Sequence, residues 1–249
     1  MARAFLVRGM LVGILAGLLS FGFLKIYGEP QVDRAIAFEE QLDEAKAQFA
    51  KSHGMTVPEE APELVSRRVQ AGLGLFVAVI VYSAAFGGLF GLAFAYAQGR
   101  MSGELSPQPL SALLALIGFI AVYLVPNLKY PANPPSVGDP DTIGTRTALY
   151  FGMIAISLVG VVGGINLRRI LLARYSEWNA TLMVGAYYIV LMIAAGLVLP
   201  AVNEVPEEFP AVVLWKFRIA SLAAQLIMWT TLGLLFGALT QRALALRRS

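Results

Sequence analysis

The sequence predicts an all-α protein, a polytopic membrane helix bundle of six transmembrane helices with an amphipathic helix in its first outer loop. Of the 249 residues, 57% are hydrophobic, which is more than a soluble domain of this length needs to fill one core. Charged residues make up only 14% of the chain, against about 25% in typical soluble proteins. The mean hydropathy of +0.69 agrees with both observations. We expect residues 1–249 to form a single integral membrane domain.

Six apolar runs are long enough to cross a bilayer, whose core of about 30 Å needs about 20 apolar residues in a helix. The third run ends at Pro126, which cannot continue a helical hydrogen-bond ladder. The second run is long enough to tilt or to project beyond the lipid. In chain order, the predicted spans are residues 4–26, 69–97, 108–126, 146–167, 180–200 and 216–241.

The first apolar run has two interpretations. Arg3 and Arg8 followed by an apolar segment also describe a signal peptide. A retained helix is favoured by small residues that recur every four positions on one face and allow close packing against another helix, namely Gly9, Gly13 and Gly17. Similar spacings predict helix packing at Gly87/Gly91, Gly160/Gly164 and Gly233/Gly237.

The distribution of Lys and Arg predicts that both termini are cytoplasmic. With the N-terminus inside, nine bases and only two acids fall on the inner side, a net charge of +7. The remaining ten bases and fourteen acids fall outside, a net charge of −4. The inner bases are Arg3, Arg8, Arg100, Arg168, Arg169, Arg174, Arg242, Arg247 and Arg248.

The largest outer loop, residues 28–68, is acidic. Asp33 is a candidate N-cap for an amphipathic helix that runs to about Lys51. Its apolar stripe is Phe38, Leu42, Ala45 and Phe49, and its acids are Glu39, Glu40, Asp43 and Glu44. The acids describe either a surface that attracts cations or a solvated helix. His53, the only histidine, is either a metal ligand completed by carboxylates from other loops or an exposed linker residue.

Two later outer segments combine prolines with acids. The segment 129–147 carries Asp139 and Asp141, and residues 199–210 carry Glu204, Glu207 and Glu208. A backbone rich in proline and glycine cannot lie in lipid, so both segments must lie at the surface or line a water-filled cavity. They predict a stiff acidic vestibule in which hard or borderline cations concentrate, with these five acids and His53 as candidate metal ligands. The alternative is that they are capping turns whose acids are solvated.

The residues that are missing also limit the function. The chain has no cysteine, which excludes thiolate metal sites and iron–sulfur clusters. No Asp, Glu or His lies at mid-depth in the apolar runs, so an intramembrane path has to use neutral polar groups, of which the richest cluster is Gln225, Trp229, Thr230 and Thr231. Phosphate-binding and nucleophile motifs are missing. We therefore expect no enzyme, no resident cofactor and no nucleic-acid partner.

Both proline-rich segments resemble one family. Residues 129–147, from Lys-Tyr-Pro-Ala-Asn-Pro-Pro through Val-Gly-Asp-Pro-Asp-Thr-Ile to Arg-Thr, are similar to the signature of CbtA, a family of predicted cobalt transporter subunits. Residues 199–210 and the following Leu214-Trp-Lys-Phe-Arg-Ile-Ala-Ser-Leu222 resemble it too. The resemblance extends over most of the chain, although the family is usually described with five spans.

The resemblance implies a polytopic subunit of the bacterial inner membrane that imports Co²⁺ for cobalamin biosynthesis. It also implies a small single-span partner with a histidine-rich terminus, CbtB. Two alternatives remain open. One is a non-transporting accessory subunit packed against a larger membrane complex, which the uncharged helices and their small-residue faces favour. The other is a carrier of lipids or small molecules.

Overall fold

The computed structural model describes residues 1–55, 65–101, 105–135, 137–138 and 140–246, and all regular elements in these residues are helical. Six long helices are apolar enough to cross a membrane, which confirms the predicted all-α fold with six such segments. They are α1 (Ala2–Ser52), α2 (Arg67–Arg100), α3 (Pro107–Lys129), α4 (Ile143–Leu171), α5 (Glu177–Val198) and α6 (Ala211–Ala245). A single 3₁₀ turn, Pro140–Thr142, precedes α4.

The separate amphipathic helix in the first outer loop is not confirmed. The segment is helical, but it is a continuation of α1, in which an α-helical part (Ala2–Phe23) passes through a π turn (Leu24–Gly28) into a second α-helical part (Glu29–Ser52). Pro30 has no N–H to donate, and the π turn lies where the hydrogen-bond ladder is therefore interrupted. Asp33 is inside the helix and not at its N-cap.

Arg67, at the start of α2, binds two acids in the part of α1 that extends beyond its apolar residues. Its Nη2 atom lies 2.5 Å from Glu29 Oε2 and 2.8 Å from Asp33 Oδ1. Its Nε atom also donates to Asp33 Oδ1 at 3.1 Å. The Glu29 side chain is only 11% exposed, so its partner matters more than in a solvated ion pair. The extension of α1 is thereby tied to the first turn of α2.

Replacing Arg67 with glutamine is expected to loosen residues 29–52 of α1. Glu29 would stay largely buried without its ion-pair partner, at a cost of about 1–3 kcal/mol. We expect faster amide hydrogen exchange over this segment and unchanged exchange in α4 and α5. Arg68→Gln is the matched control, because Arg68 is the exposed neighbour and the described residues show no ion pair to it. Equal exchange in the two variants would contradict the assigned role of Arg67.

The chain divides into two compact units, of which unit 1 comprises Met1–Ala115, Asn133–Val137 and Val205–Ser249. In unit 1, α1 packs against α2 and α6. The rings of Phe5, Phe90 and Phe94 surround that of Phe236. Arg8 donates from Nη1 to Thr240 Oγ1 at 3.1 Å, so the first turns of α1 and the last turns of α6 lie at the same end of this unit.

Unit 2 comprises Leu116–Ala132 and Gly138–Glu204. Its core contains Tyr130, Met153 and Met192. The hydroxyls of Ser157 on α4 and Tyr188 on α5 lie 2.6 Å apart, and they satisfy each other inside an apolar interface. The expectation that residues 1–249 form one domain stays a prediction.

Candidate functional site

In unit 2, the two proline-rich segments meet around Glu204. Tyr130 donates its hydroxyl to the carbonyl oxygen of Pro200 at 2.9 Å, which joins the start of one segment to the start of the other. Burial raises the pKa of Tyr130 above its ordinary value, so the phenol stays a protonated donor at neutral pH. The contact places Pro200 beside Tyr130.

The Glu204 carboxylate is held by two partners from the first segment. Arg146 Nε lies 3.1 Å from Glu204 Oε2, close enough for an ion pair although the N–H is not aligned for a hydrogen bond. Thr142 donates its hydroxyl to Glu204 Oε1. The Glu204 side chain is 14% exposed and that of Arg146 is 27% exposed. Both carboxylate oxygens therefore already have partners, and the charge of Glu204 is balanced by that of Arg146.

Gly138 lets the chain pass close to this pair. Its φ is +129°, a conformation that residues with a side chain rarely adopt. A Cβ atom at this position would lie 2.6 Å from Arg146 Nη1 and 2.9 Å from Glu204 Oε2. The backbone conformation thus favours glycine here, and an added side chain would also force the ends of Arg146 and Glu204 to shift.

In unit 1, the middle of the first segment is held by polar and apolar contacts. Arg218 on α6 donates from Nη2 to Asn133 Oδ1 at 2.9 Å. Val137 is buried against Ala35 of α1 and Phe209. The Phe209 ring meets the edge of Phe38, with ring centroids 5.3 Å apart. Phe38 was predicted to lie on the apolar stripe of the amphipathic helix, and it packs here onto Phe209, at the end of the turn that contains Glu207 and Glu208.

The six predicted metal ligands have different surroundings. Asp139 lies outside the described residues. Asp141 is exposed in the 3₁₀ turn of unit 2, and Glu207 and Glu208 are exposed in a turn of unit 1. Glu204 is engaged by Arg146 and Thr142, as described above. The structure therefore brings Glu204 together with residues of the first segment, whereas a shared ligand set of all six residues stays a prediction.

His53 is exposed at the end of α1 and turned towards its own helix. Its ring lies on that of Phe49, with centroids 4.1 Å apart, and its Nδ1 atom lies 2.9 Å from the Phe49 carbonyl oxygen. Nδ1 is therefore engaged as a local cap, which leaves Nε2 as the nitrogen for a metal. Within the described residues, no three histidine or acidic side chains are close enough together to hold a metal ion.

A comparison with protein families decides what kind of protein carries this arrangement. The model of the CbtA family, described as probable cobalt transporter subunits, matches residues 2–241 and so includes nearly all of the six helices. The chain belongs to the CbtA family. No curated protein and no solved structure matches the chain significantly. The chain is thus a multi-pass membrane protein from a family of transporter subunits, as the sequence motifs predicted.

In this CbtA member, the interior of unit 1 contains several neutral polar groups between its apolar helices. Gln225 donates to the Tyr82 hydroxyl at 3.5 Å, and Ser83 donates to the sulfur of Met228 at 3.6 Å. The Trp229 Nε1 and Gln225 Oε1 atoms are buried and have no hydrogen-bond partner in the described residues. Buried polar atoms of this kind commonly bind water. Gln225 and Trp229 of the predicted cluster therefore face α2, each with one group available to a water molecule. Thr230 is exposed, and Thr231 donates its hydroxyl to the Ile227 carbonyl oxygen of its own helix.

Sequence reasoning did not place Gly138, Thr142, Arg146 or Arg218 at the candidate metal site. One signal could have indicated the two arginines, since both are bases retained on the predicted outer side, where the family member carries a net negative charge. An arginine next to an acidic segment is a natural partner for one of its carboxylates. Which carboxylate it takes depends on contacts between distant parts of the chain, such as the 58 residues that separate Arg146 from Glu204.

Proposed function

We propose that this chain is the membrane permease subunit of a Co²⁺ importer that supplies cobalamin biosynthesis. The observation that carries the proposal is the CbtA family match over residues 2–241. The six helices support it, because they provide the membrane-embedded part that a permease needs. The predicted outer net charge of −4 supports attraction of a divalent cation to that face.

The proposal divides the predicted ligands into two roles. Asp141, Glu207 and Glu208 are exposed, and together with Asp139 and His53 they attract or bind the cation. Glu204 contributes by fixing the segment that carries Asp139 and Asp141, because its oxygens are engaged by Arg146 and Thr142. Co²⁺ is the cargo, and its borderline character suits carboxylate and imidazole ligands.

The proposal extends to location and partners. The chain lies in the bacterial cytoplasmic membrane with both termini inside, which the nine inner bases support. The contact between Arg8 and Thr240 supports the two ends of the chain being on one side. The family is one of transporter subunits, so a partner is expected. A CbtB-like single-span protein with a histidine-rich terminus would supply further nitrogen ligands, because this chain has a single histidine.

The test is the uptake of radiolabelled Co²⁺ by cells that lack other cobalt importers, with and without this chain and the partner. We expect saturable uptake that requires the chain and is inhibited by unlabelled Co²⁺ more strongly than by Mg²⁺. In Asp139→Asn/Asp141→Asn, the KM for Co²⁺ should rise about fivefold per lost charge, because a charge near the surface contributes about 1 kcal/mol to attraction. Membrane abundance should be unchanged.

Glu177→Gln is the control, because Glu177 is exposed at the start of α5 on the predicted inner side. It should leave the KM unchanged. Unchanged uptake in the Asp139/Asp141 variant would remove these two acids from the mechanism. If the inserted chain gives no uptake with its partner present, and it copurifies in fixed stoichiometry with a larger complex, the alternative of a non-transporting accessory protein is correct.

A further inference from the structure

Unit 1 contains a groove of about 530 Å³ between α1 and α6. One end of the groove is apolar, formed by Phe23 and Ile26 of α1 with Ile219 of α6. Arg34 of α1 and Lys216 of α6 also line it. The volume lies within the range of about 300–1,000 Å³ that small-molecule sites usually have. The groove is therefore large enough for part of a lipid.

The polarity of the groove changes along α1 as it would across a membrane surface. Its lining residues recur at successive turns, from Phe23 and Ile26 through Tyr27 to Gln31 and Arg34. Tyr27 is 59% exposed, and Trp215, which faces the groove from α6, is 66% exposed. Tyrosine and tryptophan are enriched at the level of lipid headgroups, where their rings have an apolar and a wet side. This part of the groove is thus expected at the headgroup level of the predicted outer leaflet.

The two cations of the groove keep their charge available. Glu29 and Asp33, the two acids that precede Arg34 on α1, both bind Arg67. Arg34 donates from Nη1 to Gln31 Oε1 at 2.9 Å, which orients the guanidinium without neutralising it. Among the described residues, no carboxylate is within ion-pair distance of Arg34 or Lys216. The groove therefore combines two positive charges with an apolar surface.

We propose that this groove binds an anionic phospholipid, with the phosphate at Arg34 and Lys216 and an acyl chain along Ile26 and Ile219. Charge complementarity selects the anionic headgroup, because basic residues at a membrane surface attract acidic lipids. The apolar end selects a lipid over a free anion, because a soluble phosphate would leave this surface uncovered. The inference goes beyond the proposed cobalt transport and does not depend on it.

The test is native mass spectrometry of the purified full chain in detergent, titrated with phosphatidylglycerol or phosphatidylcholine. We expect retention of one phosphatidylglycerol at concentrations about tenfold below those needed for phosphatidylcholine. In Arg34→Gln/Lys216→Gln this preference should be lost. The charge-matched control is Lys51→Gln/Arg68→Gln, which changes two exposed bases away from the groove and should keep the preference.

Several outcomes would overturn the proposal. Equal retention of the two lipids by the unchanged protein would do so without any variant, so the test does not depend on how well a variant folds. An unchanged preference in Arg34→Gln/Lys216→Gln would place the anionic lipid elsewhere. Displacement of the lipid by millimolar inorganic phosphate would identify a site for small anions. If Lys51→Gln/Arg68→Gln also lost the preference for phosphatidylglycerol, the preference would depend on the net charge of the protein and not on the groove.

Discussion

Replacing Gly91 with alanine is expected to remove most of the folded protein from the membrane. The Cβ atom of an alanine at this position would lie 2.3 Å from the backbone oxygen of Phe5 on α1. Real Cβ atoms do not approach other atoms this closely. A side chain could relieve such a clash by changing its rotamer, but a backbone oxygen can move only with its helix. The two helices would have to separate along their contact. We expect a loss of at least about 3 kcal/mol, at the upper end of what an overpacked core costs.

The same contact repeats along the two helices, which is why one methyl group has a large effect. A Cβ on Gly9 would lie 2.0 Å from the Gly87 oxygen, and one on Gly13 would lie 2.2 Å from the Ser83 oxygen. Helices in lipid gain little from burying apolar surface against each other, so close backbone approach and dispersion supply the association. Separating α1 from α2 at one turn would weaken the contact at the neighbouring turns as well.

Gly99→Ala is the matched control on α2. It lies two helical turns beyond Gly91, and in the described part of the chain no atom outside the backbone of its own helix lies within 4 Å of its added Cβ. A helical alanine in open space should be neutral or stabilising by up to about 1 kcal/mol. Membrane abundance of a tagged chain and its thermal unfolding in detergent provide the measurements. Equal abundance and melting temperature for the Gly91 and Gly99 variants would disprove the close contact of α1 with α2.

The glycine pattern shows what the sequence could predict about the fold and what it could not. The spacing of Gly9, Gly13 and Gly17 predicted a packing face on the first helix, and the structure confirms that this face is buried. The spacing could not name the partner, because Gly87 and Gly91 have the same pattern as the other two glycine pairs. The composition predicted six apolar helices for a simple reason, namely that only long helices satisfy their own backbone in lipid.

The outer segments were harder to predict because their structure depends on contacts between distant residues. Asp33 has the chemistry of an N-cap, but its carboxylate binds Arg67, 34 residues away, and the helix passes through it. The prediction of a cap at Asp33 was wrong because it considered only neighbouring residues and not the ion pair with Arg67. In the same way, counting acids in residues 199–210 predicted a ligand at Glu204 without showing that Arg146 already neutralises it.

Replacing Glu204 with glutamine is expected to destabilise the metal-free protein. The variant keeps a side-chain oxygen that can accept from Thr142, but it leaves the half-buried guanidinium of Arg146 without a counter-charge. We expect a loss of about 1–3 kcal/mol, because the pair is more buried than ordinary surface ion pairs. Thermal unfolding of the purified chain in chelator-treated detergent solution measures this loss directly, and no bound cobalt contributes to it.

A double-mutant cycle separates this structural role from that of a metal ligand. If Glu204 and Arg146 act as a pair, Arg146→Gln should cost a similar amount, and the variant with both changes should cost less than their sum. Glu208→Gln is the control, because this exposed acid of the same segment should leave the unfolding temperature unchanged. Additive losses would show that the pair is not coupled. A different result would be unchanged metal-free stability in Glu204→Gln together with a raised KM for Co²⁺. Glu204 would then be a metal ligand, and the arriving cation would displace Arg146 from it.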